Sequence, residues 1–163
     1  MDIKIKDTHN DKLIDAEISK ASFVDMPLKT NGWNFNWRKL FKEKGIFYKL
    51  TVKERHNFIE GIIKLEILNN EMLYMNNLEI APHNYGSSGK YDYVAGCLIS
   101  YACYLSFIEG KNHYKGFLVF DSKTKLIDLY KIKYQAEILF GQRMFIDANN
   151  SKKLIEKYLK VII

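Results

Sequence analysis

Apolar and polar residues alternate in four segments of this 163-residue chain, as they do in β-strands with one buried face. In the first of these segments, Ile14, Ala16 and Ile18 share one side. Short turns separate the last three segments, which therefore predict an antiparallel meander. The four predicted strands are residues 12–20, 46–53, 58–68 and 72–81.

A helical period begins at Val94, where apolar residues recur for about four turns until Gly110 ends the pattern. The next segment, residues 116–121, is almost wholly apolar, as a strand covered on both faces is. With residues 72–81 it predicts a right-handed parallel βαβ unit. The remaining predicted elements are a helix at 123–134, a hairpin of 136–140 and 143–147, and a helix from residue 150 or 151.

Trp33, Trp37 and Phe41 are spaced four residues apart, and this spacing predicts an amphipathic helix with an aromatic stripe. The length suits one domain, residues 1–163, with a core at 45–147. Residues 1–44 precede this core and a C-terminal helix, 150–163, follows it. The fold class expected is α/β (α+β), with a mixed, mostly antiparallel central sheet, one parallel βαβ step and flanking helices.

The overall composition points to a globular protein. Hydrophobic residues make up 47% of the chain, enough for a sizeable core, and no 18-residue apolar run predicts a membrane span. The charged N-terminus lacks the apolar segment of a secretory signal, so a cytoplasmic location is expected. Cys97 and Cys103 do not have metal-site spacing and are interpreted as reduced structural thiols. We expect no metal site.

The net positive charge of the chain lies mostly in its second half. Residues 1–80 carry 13 basic and 12 acidic side chains, whereas residues 81–163 carry 12 and 7. A polyphosphate ligand or a nucleic acid would explain this excess, and a lysine-rich solvated surface is the simpler alternative.

The start of the predicted long helix has the features of an anion site. It follows a Gly/Ser loop and opens with Val94, Ala95 and Gly96, whose small or compact side chains leave the backbone open to close approach. Free N–H groups and the helix dipole favour a phosphate at such a position. By itself the pattern is more often that of a plain crossover helix that binds nothing.

Several motifs in this region resemble the GNAT superfamily of acetyl-CoA-dependent N-acetyltransferases. They are Leu-Glu-Ile-Ala-Pro (78–82), Lys-Tyr-Asp-Tyr-Val-Ala-Gly (90–96), the strand 117–120 and Leu-Tyr-Lys (129–131). The resemblance covers roughly residues 46–147. It is closest to a bacterial GNAT-like group of unknown substrate that shares Ala-Pro-His-Asn (81–84) and Gly-Gln-Arg-Met (141–144).

The resemblance implies a set of cofactor-binding residues for acetyl-CoA. The pyrophosphate would lie on the loop that opens the long helix, and the pantetheine arm would pair with main-chain groups of the preceding strand. Lys90, Tyr93 and Lys123 depart from the family pattern, which carries Arg or Gln, Gly, and Asn there. The residues implied are Leu78, Ile80, Ala81, Lys90, Tyr91, Tyr93, Val94, Ala95, Gly96 and Lys123.

The resemblance also implies catalytic and acceptor-side residues. Glu79 is the candidate base, and burial would favour that role. Tyr130 is the candidate acid that protonates the departing thiolate. Glu60 and Glu66 are second-choice bases and are interpreted as surface charges. On the acceptor side, in the N-terminal segment (residues 1–44) and the loop that follows the cofactor strand, the candidates are Trp33, Trp37 and His83.

The function predicted is direct transfer of an acetyl group from acetyl-CoA to an unidentified amine, on a small molecule or a protein. One alternative is a GNAT fold that binds CoA or a partner without transfer. Another is an acetyltransferase directed to nucleic acid such as charged tRNA, which only the net charge of +6 supports. A homodimer is among the expected assemblies.

Overall fold

The first three strands form an antiparallel sheet around β2. In the computed structural model, which describes residues 1–163, Ala16 of β2 pairs with Ile3 of β1 on one side and with Val52 of β3 on the other. Ile18 is buried beside Ala16, as the alternation predicted. The bounds are β1 Asp2–Asp7, β2 Lys12–Lys20 and β3 Ile46–Val52.

Strand β1 lies outside the predicted strands. Its signal is the alternation of Ile3 and Ile5, both buried, with charged residues between them. Strand β6, Tyr91–Asp92, was also not predicted, because two residues are too few to show a period. The other predicted strands are confirmed as β4 Ile59–Leu68, β5 Met72–Ile80, β7 Leu118–Asp121, β8 Glu137–Phe140 and β9 Arg143–Ile146.

The chain forms two compact units, and each combines two stretches of sequence. The first contains Met1–Lys64 and Asn77–Leu98, and the second contains Leu65–Asn76 and Ile99–Ile163. Strands β4 and β5 and the long helix α2, Val94–Glu109, therefore contribute residues to both units. The expectation of a single domain stays a prediction.

The first unit is organised around an aromatic cluster. Its strands follow the order β6-β1-β2-β3-β4-β5. Helix α1 is short, Trp37–Phe41, and the ring of Trp37 is fully buried against Phe47. The other buried members of the cluster are Met26, Trp33, Ile62 and Ala81.

Helix α1 corrects the prediction of a helix that includes Trp33. The Asn36 side chain accepts a hydrogen bond from Lys39 N at 3.1 Å and so begins the helix at Trp37. Trp33 is buried in the preceding loop. The four-residue spacing of Trp33 and Trp37 therefore indicated that both rings are buried, but the two residues do not share one helix.

The second unit holds the parallel step. Leu73 in β5 pairs in parallel with Leu118 in β7, and β9 and β8 continue antiparallel beyond β7. Helix α2 ends at Glu109, directly before Gly110 as predicted. Helix α3, Ile127–Tyr134, and helix α4, Ala148–Leu154, complete the unit, with a π-turn at Ile155–Leu159.

Helices α3 and α4 begin at different residues from those predicted, and local contacts explain both differences. Residues Thr124–Leu126 form a 3₁₀ turn before α3, and the Asp147 carboxylate caps α4 by accepting from Asn150 N. The mixed sheet, antiparallel except for β5 and β7, and its flanking helices confirm the predicted fold class.

Both cysteines are free and buried, and burial raises the pKa of the Cys103 thiol to about 12.

Candidate functional site

The opening of α2 presents free backbone N–H groups. Cys97 N donates to the Tyr93 carbonyl at 2.8 Å, the first bond of the helix, so the N–H groups of Val94, Ala95 and Gly96 have no acceptor within the protein. Tyr93 adopts a left-handed conformation with φ of 73°. The backbone here thus takes the conformation for which glycine is the usual residue.

The Tyr93 side chain is 37% exposed, so its ring lies outside the protein core. The backbone N–H of Tyr93 is fixed by Asp92, whose carboxylate accepts it at 2.7 Å. A bulky residue is therefore held in the left-handed conformation at this turn. The cost of a left-handed non-glycine residue is about 1–2 kcal/mol.

The loop between β5 and α2 is folded back on itself by Asn84. The Asn84 side chain accepts from Tyr91 N at 3.0 Å, and Lys90 N donates to the His83 carbonyl at 2.8 Å. Gly89 lies so close to the Asn84 backbone that no Cβ would fit there. This long loop is therefore ordered by its own contacts.

The predicted cofactor residues differ in what they can offer a ligand. Leu78 and Ile80 are half-buried on β5, while the Ala81 N–H already donates to the Glu60 carbonyl at 2.8 Å. The Tyr91 ring is buried, and its N–H is bound to the loop. The Lys90 ammonium lies 5.0 Å from the centre of that ring. The N–H groups of Ala81 and Tyr91 are therefore already bonded to protein acceptors.

Glu79, the candidate base, is buried and accepts four hydrogen bonds. Its donors are Asn34 N, Phe35 N at 3.2 Å, Trp37 Nε1 at 2.7 Å and Tyr85 Oη at 3.2 Å. Because its lone pairs are committed to these donors, a substrate proton would have to displace one of them. The geometry favours a structural role, in which Glu79 holds the segment before α1 on β5.

Tyr85 closes this network from the solvent side. Burial and the neighbouring Glu79 charge raise the pKa of Tyr85 to about 12, so the phenol keeps its proton and donates it to the carboxylate. Asn34 Nδ2 in turn donates to Tyr85 Oη at 3.1 Å. Sequence reasoning missed both residues, because their link to Glu79 exists only in the folded chain.

The interpretation of Glu60 as a surface charge is wrong, because Glu60 is buried. Its side chain on β4 is only 1% exposed, and Oε2 contacts His83 Nε2 and accepts from Asn84 Nδ2 at 2.9 Å. The other oxygen, Oε1, has no hydrogen-bond partner in the protein. Glu66, the other second-choice base, is half-buried.

The acceptor-side candidates divide into core and cavity residues. Trp37 is fully buried in the aromatic cluster and is not among the residues that line the cavity described next. Trp33 and His83 both line a cavity of about 640 Å³ in the first unit. Met26, Arg38 and Ile59 are among its other lining residues.

Tyr130 and Lys123 belong to the second unit. The Tyr130 ring is half-buried, packs 4.7 Å from the ring of Phe120 and lies 5.8 Å from Tyr134. Burial raises the pKa of Tyr130, so its hydroxyl keeps a proton at neutral pH. Lys123 is exposed at the turn before α3, and its carbonyl accepts from Ser122 Oγ at 3.0 Å.

Solved structures with the same architecture are found at low sequence identity. A GNAT family acetyltransferase from Elizabethkingia anophelis with acetyl-CoA bound has a TM-score of 0.54 and 17% identity, over 77% of this chain and 78% of that chain. The spermidine/spermine N-acetyltransferase SpeG from Vibrio cholerae, in mutant forms, has a TM-score of 0.55 and 12% identity over 83% and 96%. A chain of a KacTA–DNA complex has a TM-score of 0.62 and 10% identity over 87% and 99%.

These likenesses establish the fold. The chain has the fold of the GNAT acetyltransferases, as the motifs around α2 predicted. No protein-family model and no curated protein matches the sequence. None of the helices has the length and apolar content required to cross a bilayer.

Proposed function

We propose that this chain is an acetyl-CoA-dependent N-acyltransferase that transfers an acetyl group directly to a primary amine. The observation that carries the proposal is the unpaired N–H cluster of Val94, Ala95 and Gly96 at the start of a 16-residue helix on a GNAT fold. Such a cluster is suited to the pyrophosphate of CoA. Lys90, beside it in sequence, would supply a cation to the same phosphates.

Bound acetyl-CoA would supply a thioester carbonyl that is open to attack by an amine. In this proposal Leu78 and Ile80 offer main-chain groups of β5 to the pantetheine arm, and Lys123 stays a candidate contact on the second unit. Tyr130 donates its proton to the thiolate that leaves. Its retained proton supports this role, because an acid must arrive protonated.

Calorimetric titration of acetyl-CoA into an Ala95→Glu variant tests the proposed phosphate site. A carboxylate in the first turn of α2 complements the helix dipole, so the variant should fold, but it repels phosphates. We expect at least about a tenfold weaker affinity, with melting temperature unchanged. Ala95→Gln, equal in size and neutral, is the matched control. Wild-type protein without acetyl-CoA binding would refute the proposal.

A second assay addresses catalysis. Thiol release should fall about 100-fold in Tyr130→Phe, with acetyl-CoA affinity retained, because general-acid catalysis contributes on this order. Full turnover in that variant would remove Tyr130 from the mechanism. Acetyl-CoA binding without thiol release for any amine would favour the second candidate, a GNAT-fold module that binds CoA without transfer. The bulky side chain of Tyr93, at a position where the family pattern carries Gly, is the observation that supports this second candidate.

A further inference from the structure

A buried carboxylate and an exposed imidazole meet where β5 ends. Glu60 is 1% exposed, whereas the His83 side chain is 46% exposed. The only carboxylate oxygen with partners is Oε2, which contacts His83 Nε2 and accepts from Asn84 Nδ2. The other oxygen, Oε1, is buried and has no hydrogen-bond partner within the protein.

The contact with Glu60 determines which imidazole nitrogen is available. A carboxylate only accepts hydrogen bonds, so His83 Nε2 carries the proton and donates it to Oε2. The lone pair of the neutral ring is then on Nδ1, in a side chain that is half open to solvent. A carboxylate that orients a histidine in this way also stabilises the imidazolium after proton uptake.

The His83 ring is held in place by backbone as well as side-chain contacts. It lies in the 3₁₀ turn Pro82–Asn84, and the His83 carbonyl accepts from Lys90 N at 2.8 Å. The Tyr91 ring meets the imidazole edge-on at a centroid distance of 6.4 Å. This is the fixed geometry that a proton-accepting group needs.

His83 lines the cavity of about 640 Å³, whose walls are largely apolar and include Met26, Trp33 and Ile59. Arg38 also lines the cavity and pairs with no carboxylate of the protein; its guanidinium lies 5.5 Å from the Phe23 ring. The one carboxylate in the lining, Asp25, is already bound by Lys49 at 2.6 Å. The lining thus combines an apolar wall, an available cation and a proton acceptor.

From this arrangement we infer that His83 is the base for the acceptor amine, that Glu60 is its positioning residue, and that the cavity takes an aromatic or apolar primary amine bearing an anionic group. The inference rests on the proposed transferase function and gives it an acceptor class. Arg38 binds the anionic group, and the apolar wall of the cavity contacts the body of the amine.

Acetyl transfer removes two protons from the substrate ammonium and adds one to the sulfur of CoA. The substrate ammonium gives one proton to His83 Nδ1, which passes it to solvent. The amine nitrogen then forms a bond to the acetyl carbonyl carbon, the carbon–sulfur bond breaks, and the electron pair stays on sulfur. The remaining excess proton of the nitrogen goes to solvent by way of Nδ1. The thiolate takes one proton from Tyr130, and the Tyr130 phenolate then takes one back from solvent. The products are an amide, free CoA thiol and one proton.

Two probe amines test the acceptor class. Phenylalanine and 2-phenylethylamine share a ring and a primary amine, and only the first has a carboxylate. Thiol release from acetyl-CoA should be at least about tenfold more efficient in kcat/KM with phenylalanine, and Arg38→Gln should abolish that preference. Acetyl-CoA binding without turnover of either probe overturns the acceptor class. Absence of acetyl-CoA binding instead refutes the proposed function.

His83→Gln tests the base. We expect kcat to fall about 100-fold or more for both probes, with acetyl-CoA affinity unchanged as proof of folding. His113→Gln, in an exposed turn, is the matched control. Turnover of His83→Gln equal to that of the wild type, with acetyl-CoA bound, overturns the inference and leaves the transferase function standing.

The Glu60→Gln variant tests whether Glu60 orients the His83 imidazole or only stabilises the fold. The amide keeps an acceptor oxygen for Asn84 and removes the charge beside the imidazole. The groups that face the ring are the Glu60 carboxylate and the Tyr91 ring, and Asp25 and Arg38 share the cavity. We expect kcat to fall at least about tenfold for both probes, with KM for the amine and acetyl-CoA affinity unchanged, because the imidazole loses the carboxylate that orients it. Unchanged kcat with a lower Tm would reduce Glu60 to a structural residue.

Discussion

Replacing Glu79 with Gln tests whether this carboxylate holds the segment before α1 in place. Oε1 accepts from Asn34 N and Tyr85 Oη, and Oε2 accepts from Phe35 N and Trp37 Nε1. An amide supplies only one oxygen, so its NH₂ group faces one of these pairs of donors. The pair at Oε1 tolerates it better, because a hydroxyl can rotate to accept while a backbone N–H cannot.

The expected loss of stability follows from this count of donors. The N–H of Asn34 is left unpaired, which costs about 1–3 kcal/mol, and the two bonds that remain at Oε2 lose their charge assistance at about 1 kcal/mol each. Asn34 is on the exposed side, which places the sum near the low end, at about 3 kcal/mol. For a chain of this length that is a fall in melting temperature of about 6–12 °C.

Thermal and urea unfolding of Glu79→Gln measure this loss directly. Glu54→Gln is the control, since Glu54 is exposed in a surface turn and should change stability by less than about 0.5 kcal/mol. If Glu79→Gln is as stable as that control, the reasoning from the four hydrogen bonds is refuted. A variant that keeps its stability but loses turnover would instead favour Glu79 as the catalytic base.

Three further predictions concern the first unit. Gly61→Ala should lower the free energy of unfolding by about 1–3 kcal/mol, because the added Cβ would lie 2.7 Å from a methyl of Val94. Urea unfolding measures this loss, and a loss below about 0.5 kcal/mol would show that α2 moves to make room for the methyl group. Burial and a neighbouring carboxylate raise the pKa of Tyr85 to about 12 from an ordinary 10.0, so its contribution is complete below pH 10 and is lost as the pH rises toward 12. Melting temperatures of Tyr85→Phe should therefore fall less steeply over that range than those of the wild type, and equal slopes would contradict the prediction. Tyr93→Gly should stabilise by about 0.5–1 kcal/mol by relieving the left-handed backbone, and a lower melting temperature would argue against strain at φ 73°.

Sequence periodicity was sufficient where one face of an element is buried. The alternation in residues 12–20, 46–53 and 58–68 and the helical period after Val94 each predicted the element that forms, because burial repeats at the period of the backbone. The N–H cluster at the start of α2 was also predictable, since it depends on residues adjacent in sequence. Helix α1 shows the limit: the spacing of Trp33 and Trp37 indicated burial, but the Asn36 cap decided where the helix begins.

The roles of the acidic side chains were decided only by the tertiary structure. Glu60 and Glu79 are similar in sequence, each an acidic residue within an alternating strand, and either could have faced solvent. Glu60 contacts His83, 23 residues away, and Glu79 accepts hydrogen bonds from donors up to 45 residues away. The environment of a carboxylate depends on which distant groups folding brings to it, and local pattern carries no information about that. The sequence therefore determined the secondary-structure elements and the helix start with its free N–H groups. Folding determined which carboxylate accepts four hydrogen bonds and which one contacts a histidine at a cavity.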